Sequence, residues 1–182
     1  MSALGEALRD RDWPDIAAVV EGPADAIDAG LAALWASRIA THEPVAILGM
    51  ASLWTTREQI AAAACACARL VIGRTKDPRA RAAVETTEMW ARGEATFEEV
   101  WDAGQAAGSA AYDGDAIAEV GCDAASAAGD RVRGFDEHAL EAAQRVAESV
   151  VELGCDARHV SQILIAALPS PTLVAMTSTL LD

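Results

Sequence analysis

Forty-three of the 182 residues are alanine, and they gather into runs that lie between helix start and stop signals. Alanine is the strongest helix former and has too little side chain to fill a wide gap, so such a chain favours helices that approach one another closely. Strand-forming aromatics are few, with two Phe and one Tyr. Nowhere do apolar and polar residues alternate for long enough to make a half-buried strand. The expected fold class is all-α, a helical bundle or array of about seven to nine helices with no sheet. A chain of 182 residues is long enough to bury one self-sufficient core. We expect a single helical domain over 1–182, with the helices of 1–54 a candidate semi-independent appendage.

The punctuation supports this reading along the whole chain. Pro14 and Pro23 suit first helical turns, where the missing N–H costs nothing, and open helices over 13–20 and 23–40. In the second of these Ile27, Leu31, Leu34 and Trp35 recur at spacings of three and four, which puts them on one core-facing side. Pro44 opens a short helix through "PVAILGMAS". Thr55 stands three residues before Glu58, a capping-box spacing, and the helix that follows should run to Ile72 and stop at Gly73. Asp77 and Pro78 start the next helix and Gly93 ends it; Thr96 and Glu99 form a second capping box. A helix over 115–128 follows. Asp136 caps another that ends at Gly154, with Leu140, Ala143, Ala147, Val150 and Val151 on one face. Asp156 caps "ARHVSQILIAAL", Pro169 stops it, and Ser170 with Pro171 begins a last short helix. "TREQIAAAACACARL" and "DEHALEAAQRVAESV" share a capped, Ala-rich opening, but tryptophans and turns do not recur at a fixed period, so a repeat is unproven.

No catalytic, cofactor-binding or metal-ligating set emerges. Cys65 and Cys67 are two apart on a helix and so point about 200° from each other, which prevents them from converging on one ion. Cys122 and Cys155 stand alone, and all four thiols are expected to be free in a reducing compartment. None of the three histidines follows a Glu by three residues, so the Glu-x-x-His pairing of di-iron bundles is missing. Gly104 and Gly108 fall four apart within one helix, a pattern that suits close helix packing rather than a phosphate loop. The basic turn Arg74, Lys76, Arg79, Arg81 reads as solvated, with Arg74 placed to favour a helix C-terminus. Trp90 and Trp101 have apolar helical neighbours and are expected to be core anchors. The expectation is a non-enzyme without cofactor.

Thirteen arginines beside a single lysine, with no asparagine, suggest a GC-rich bacterial genome. No stretch reaches the roughly 18 apolar residues of a membrane span. The opening "MSALGEALRDRDW" lacks the basic and apolar regions of a secretory signal, so a cytoplasmic location is expected. The formal net charge is −14. Residues 1–91 carry nine basic and twelve acidic side chains, whereas 92–182 carry five and sixteen. Such a field repels nucleic acid and membrane surfaces and speeds association with a basic protein.

The segments "CARLVIG", "DPRARAAVETTEMWARGEATFEEV" and, more weakly, "ARHVSQILIAAL" resemble bacterial immunity proteins of polymorphic toxin systems. The resemblance spans residues 60–111 and 157–168. It implies a non-enzymatic helical protein that binds and neutralises a cognate protein toxin, and the acidic second half suits a basic nuclease as that toxin. The contacts it would use are exposed acids of the later helices: Glu98, Asp102, Glu119, Asp123, Glu141, Glu148 and Glu152. Two alternatives stand beside it. One is a structural or scaffold module that assembles into a homo-oligomer through its Ala and Gly faces. The other is a small-molecule-binding helical protein whose pocket the sequence does not announce.

Overall fold

The structure, a computed structural model, describes residues 3–10, 13–129 and 135–171. Its helices in chain order are α1 (Ala3–Asp10), α2 (Pro14–Val20), α3 (Ile27–Thr41), α4 (Pro44–Ala51), α5 (Arg57–Ile72), α6 (Pro78–Ala91), α7 (Phe97–Tyr112), α8 (Ala116–Ser126), α9 (Phe135–Glu152) and α10 (Ala157–Ala167). Among the described residues there is no strand, and the all-helical class is what the sequence predicts. Helices α2–α10 lie where the punctuation places them; α1 is additional. No helix of the described residues is long and apolar enough to cross a membrane.

Local chemistry sets most boundaries. Pro14, Pro44 and Pro78 occupy first turns. The carboxylates of Asp77, Asp115 and Asp156 accept from backbone N–H groups that have no partner inside their helices. Thr96 and Glu99 form the predicted capping box at α7. Gly93 (φ 75°) and Gly154 (φ 92°) adopt the left-handed conformation just past α6 and α9, where a side chain would be strained.

Three boundaries differ from expectation. The box at α5 is built by Thr56 and Gln59, one residue beyond the Thr55–Glu58 pair. Thr55 is buried and donates its hydroxyl to the Ala51 carbonyl at 2.8 Å, so it belongs to the preceding turn. Pro23 leads into a 3-10 turn, Ala24–Ala26, before α3 begins. Helix α9 already contains Phe135, so Asp136 is inside it and is not its cap. The short helix expected from Ser170 falls mostly outside the described residues.

Helix α5 is the hub. Ala61, Ala63, Ala64, Cys65, Cys67 and Ala68 are all buried on it, and it packs against α6, α8, α9 and α10. Small residues on several sides let four neighbours come close at once. Helices α6, α7 and α8 pack on one another in a tight group, and two glycines set their spacing. A Cβ at Gly121 of α8 would lie 2.8 Å from the Ala80 carbonyl oxygen of α6, and one at Gly104 of α7 would lie 2.9 Å from the Ala125 Cβ of α8.

The buried side chains form two clusters. The larger runs from Leu8 through Leu31, Ile47, Leu53 and Val71 to Leu164 and Leu168, so the N-terminal helices share a core with the later ones. The smaller joins Ala83, Val100, Ala107, Ala125 and Ala128. Trp90 packs against both. Trp35 and Trp54 meet edge to face at 5.1 Å, and the Trp54 indole donates to the Pro169 carbonyl at 2.9 Å, tying the end of α4 to the chain beyond α10.

Candidate interaction surface on the later helices

Val100, Gly104, Ala107 and Ala110 form the buried stripe of α7. One helical step of about 100° separates Trp101 from Val100, and that step carries its side chain off the stripe. Trp101 is consequently 48% exposed, not the core anchor that its apolar neighbours suggest. Trp90 does hold that role, partly buried between the two clusters with the Arg57 guanidinium 5.1 Å from its ring centre.

Trp101 forms one wall of a cleft of about 210 Å³ between α7, α8 and the first half of α9. Phe97 and Gln105 continue the α7 wall, Cys122 and Ser126 come from α8, and His138 and Arg145 close it from α9. Glu98 precedes Trp101 by three residues and shares its side of the helix, whereas Asp102 lies one step of about 100° round from it; both acids are exposed. Glu141, also exposed, stands between His138 and Arg145 on α9, and its carboxylate is 3.5 Å from His138 Nδ1. Glu119 is exposed on α8, one turn before Cys122. Glu148 and Glu152 are exposed farther along α9.

Asp123 departs from this set. Its side chain is 14% exposed and accepts from Arg145 Nε at 3.0 Å. Burial pushes its carboxyl above the ordinary range despite the arginine beside it. It is an internal partner of Arg145 and presents little to a binding protein. The other six candidate acids remain on the surface, and none of them lines the Trp101 cleft.

The cysteines form no ligand set, and the described residues hold no group of three His, Cys, Asp or Glu able to bind a metal ion. Cys65 and Cys67 are buried on α5, where desolvation pushes both thiols up, that of Cys67 to about 12. The Cys65 thiol faces the Val84 carbonyl at 3.7 Å. Two residues of the basic turn, Arg74 and Arg79, have separate structural tasks. Arg74 donates to the Leu153 carbonyl at 2.9 Å, just past α9, a placement that also suits the negative end of that helix. Arg79 pairs with Asp77 and Asp113.

No protein family model, no curated protein and no solved structure matches this chain. The cleft was not foreseen in the sequence, although one signal bears on it: Glu98, Trp101, Asp102 and Gln105 form a helical stripe that is polar except for the tryptophan.

Proposed function

We propose that the chain is a non-enzymatic binding protein that captures a basic protein, and that the captured protein is a cognate toxin which it neutralises, in a bacterial cytoplasm. The observation that carries the reading is the exposure of Glu98, Asp102, Glu119, Glu141, Glu148 and Glu152 on α7, α8 and α9, in the half of the chain that holds most of its acidic excess. Exposed carboxylates of one sign raise the encounter rate with a basic surface and disfavour nucleic acid and acidic membranes.

The toxin assignment rests on the sequence resemblance. The scaffold alternative has less support, because two of the glycines that would serve self-association already face helices of the same chain, Gly104 against Ala125 and Gly121 against Ala80. The test is purification from the native host at low salt and again at high salt, with mass spectrometry of whatever is retained. A basic protein held at low salt and lost at high salt supports the reading. Recovery of the chain alone, or only as a homo-oligomer, at low salt overturns it.

A further inference from the structure

We infer that the Trp101 cleft binds a neutral, planar, single-ring heteroaromatic molecule that carries an amide or lactam group, the chemical class of nicotinamide and the pyrimidine bases. The site is separate from the capture reading above, since it uses neither a basic partner nor the surface acids. Phe97 and Trp101 stand one turn apart on the α7 wall, and nearly half of Trp101 is open to solvent. A flat ring laid against them gains aromatic stacking as well as burial of its own faces. A volume of about 210 Å³ is below the roughly 300–1,000 Å³ of pockets that enclose drug-sized ligands and above the roughly 150 Å³ that encloses benzene, so it suits one ring with a small substituent.

Charge separates a neutral ligand from an ion. Among the described residues no carboxylate lines the cleft, so a cation finds no counter-charge there. Arg145 and His138 do line it, but each already faces a carboxylate outside the lining: Arg145 Nε donates to Asp123 at 3.0 Å, and His138 Nδ1 is 3.5 Å from Glu141. An anion would therefore meet matched positive charge, in a chain of formal net charge −14. What the walls offer is hydrogen bonding of both kinds. The terminal N–H groups of Arg145 have no partner among the described residues. Gln105 presents an exposed amide that both donates and accepts. Ser126 donates its hydroxyl to the Cys122 carbonyl at 3.0 Å, which leaves its oxygen to accept. An amide or lactam edge, with a donor beside an acceptor, matches that set.

The experiment is titration of the full, nitrogen-15-labelled chain, followed in amide and indole correlation spectra, with nicotinamide and uracil as neutral probes and with nicotinate and 3-(aminomethyl)pyridine as the anionic and cationic counterparts. The indole signal of Trp101 is the one missing in Trp101→Phe, and the spectra themselves verify that each variant is folded. The expected result is saturable, millimolar binding of a neutral probe that moves the Trp101 indole signal and is the same at low and high salt. Trp101→Ala should weaken it about tenfold, with partial recovery in Trp101→Phe. Gln105→Leu should weaken it about fivefold by removing one edge of hydrogen bonds. Tyr112→Ala, which removes a 94% exposed aromatic outside the cleft, should change nothing. Tighter binding of either charged counterpart overturns the inference, as does binding that Trp101→Ala leaves unaltered or a wild-type chain whose signals neither neutral probe moves. None of these results bears on capture of a basic protein, which the purification at two salt concentrations tests by itself.

Discussion

Gly121→Ala isolates the close approach of α6 and α8. At an unhindered position inside a helix, replacing glycine by alanine stabilises by about 1 kcal/mol, because the more flexible residue is removed. At Gly121 the added Cβ would lie 2.8 Å from the Ala80 carbonyl oxygen, 3.1 Å from its Cα and 3.3 Å from its carbonyl carbon. All three are backbone atoms, which cannot rotate aside, so α6 and α8 must separate. Overpacking of this kind costs about 1–3 kcal/mol, and more where a whole helix moves. Separation also loosens Ala83 and Val84, both fully buried on α6. The cost offsets or outweighs the propensity gain, for a net loss of up to about 2 kcal/mol and a melting temperature lower by up to about 8 °C. Gly108→Ala is the comparator. Its Cβ would meet the Cys122 sulfur at 3.3 Å, the end of a side chain that can shift, so gain and cost nearly cancel. Guanidinium unfolding followed by far-UV circular dichroism measures both, with an unchanged denaturant slope expected. A Gly121→Ala protein as stable as Gly108→Ala, or more so, would refute the reasoning.

Other consequences follow from caps, thiols and the Arg145 pair. Thr56→Ala should cost about 1 kcal/mol by removing the cap of α5, whereas Glu58→Ala, which removes the side chain that a Thr55 box would need, should be nearly neutral; equal effects in urea melts would restore Thr55–Glu58 as the box. Cys65 and Cys67 should resist alkylation in the native protein and react once it unfolds, a difference that mass spectrometry of labelled peptides resolves. Their folded pKa values lie above the ordinary 9.0, so the stability they contribute is intact below that pH and is lost as pH rises toward the folded value of about 12 for Cys67. A stability flat from pH 9 to 12 argues against burial of these thiols. Asp123→Asn should cost less than about 1 kcal/mol, since a buried charge is removed and Arg145 is 50% exposed to water. Arg145→Ala should cost more, about 1–2 kcal/mol, because it strands the Asp123 carboxylate; the reverse order in thermal melts would contradict the pair as described.

The fold was legible where chemistry is local. An aspartate followed by a proline, a threonine three residues before a glutamate, or a glycine just after an apolar run satisfies neighbouring backbone groups without tertiary help, and Asp77, Thr96 and Gly93 all lie where those rules place them. Thr55 and Thr56 show where such rules tie. Each stands three residues before a side chain able to complete a box, and the choice is made by the Ala51 carbonyl and the core, which claim Thr55. Helix α1 is too short to show periodicity, and it is held by the buried Leu8 and by the ion pair of Arg9 with Glu21. The surface was legible as charge but not as shape. Trp90 and Trp101 have similar neighbours in sequence, yet the orientation of α7 against α6 and α8 decides which is covered. Asp123 reads as one more solvated acid until α9 brings Arg145 to it from 22 residues away.

The hub position of α5 also bears on how the chain assembles. Helices α6, α7 and α8 are consecutive and pack chiefly on one another, so their contacts close short loops and can form early. Helix α5 completes its surroundings only when α9 and α10 arrive, and Arg74 reaches the Leu153 carbonyl across 79 residues of chain. Folding should therefore begin in the α6–α8 group and finish when the C-terminal helices close over the alanine face of α5. In pulsed amide exchange, protection in α7 and α8 should precede protection in α5. Until that closure the most alanine-rich helix of the protein lacks two of its walls, and in that interval a misassembled or swapped C-terminal pair would find its place.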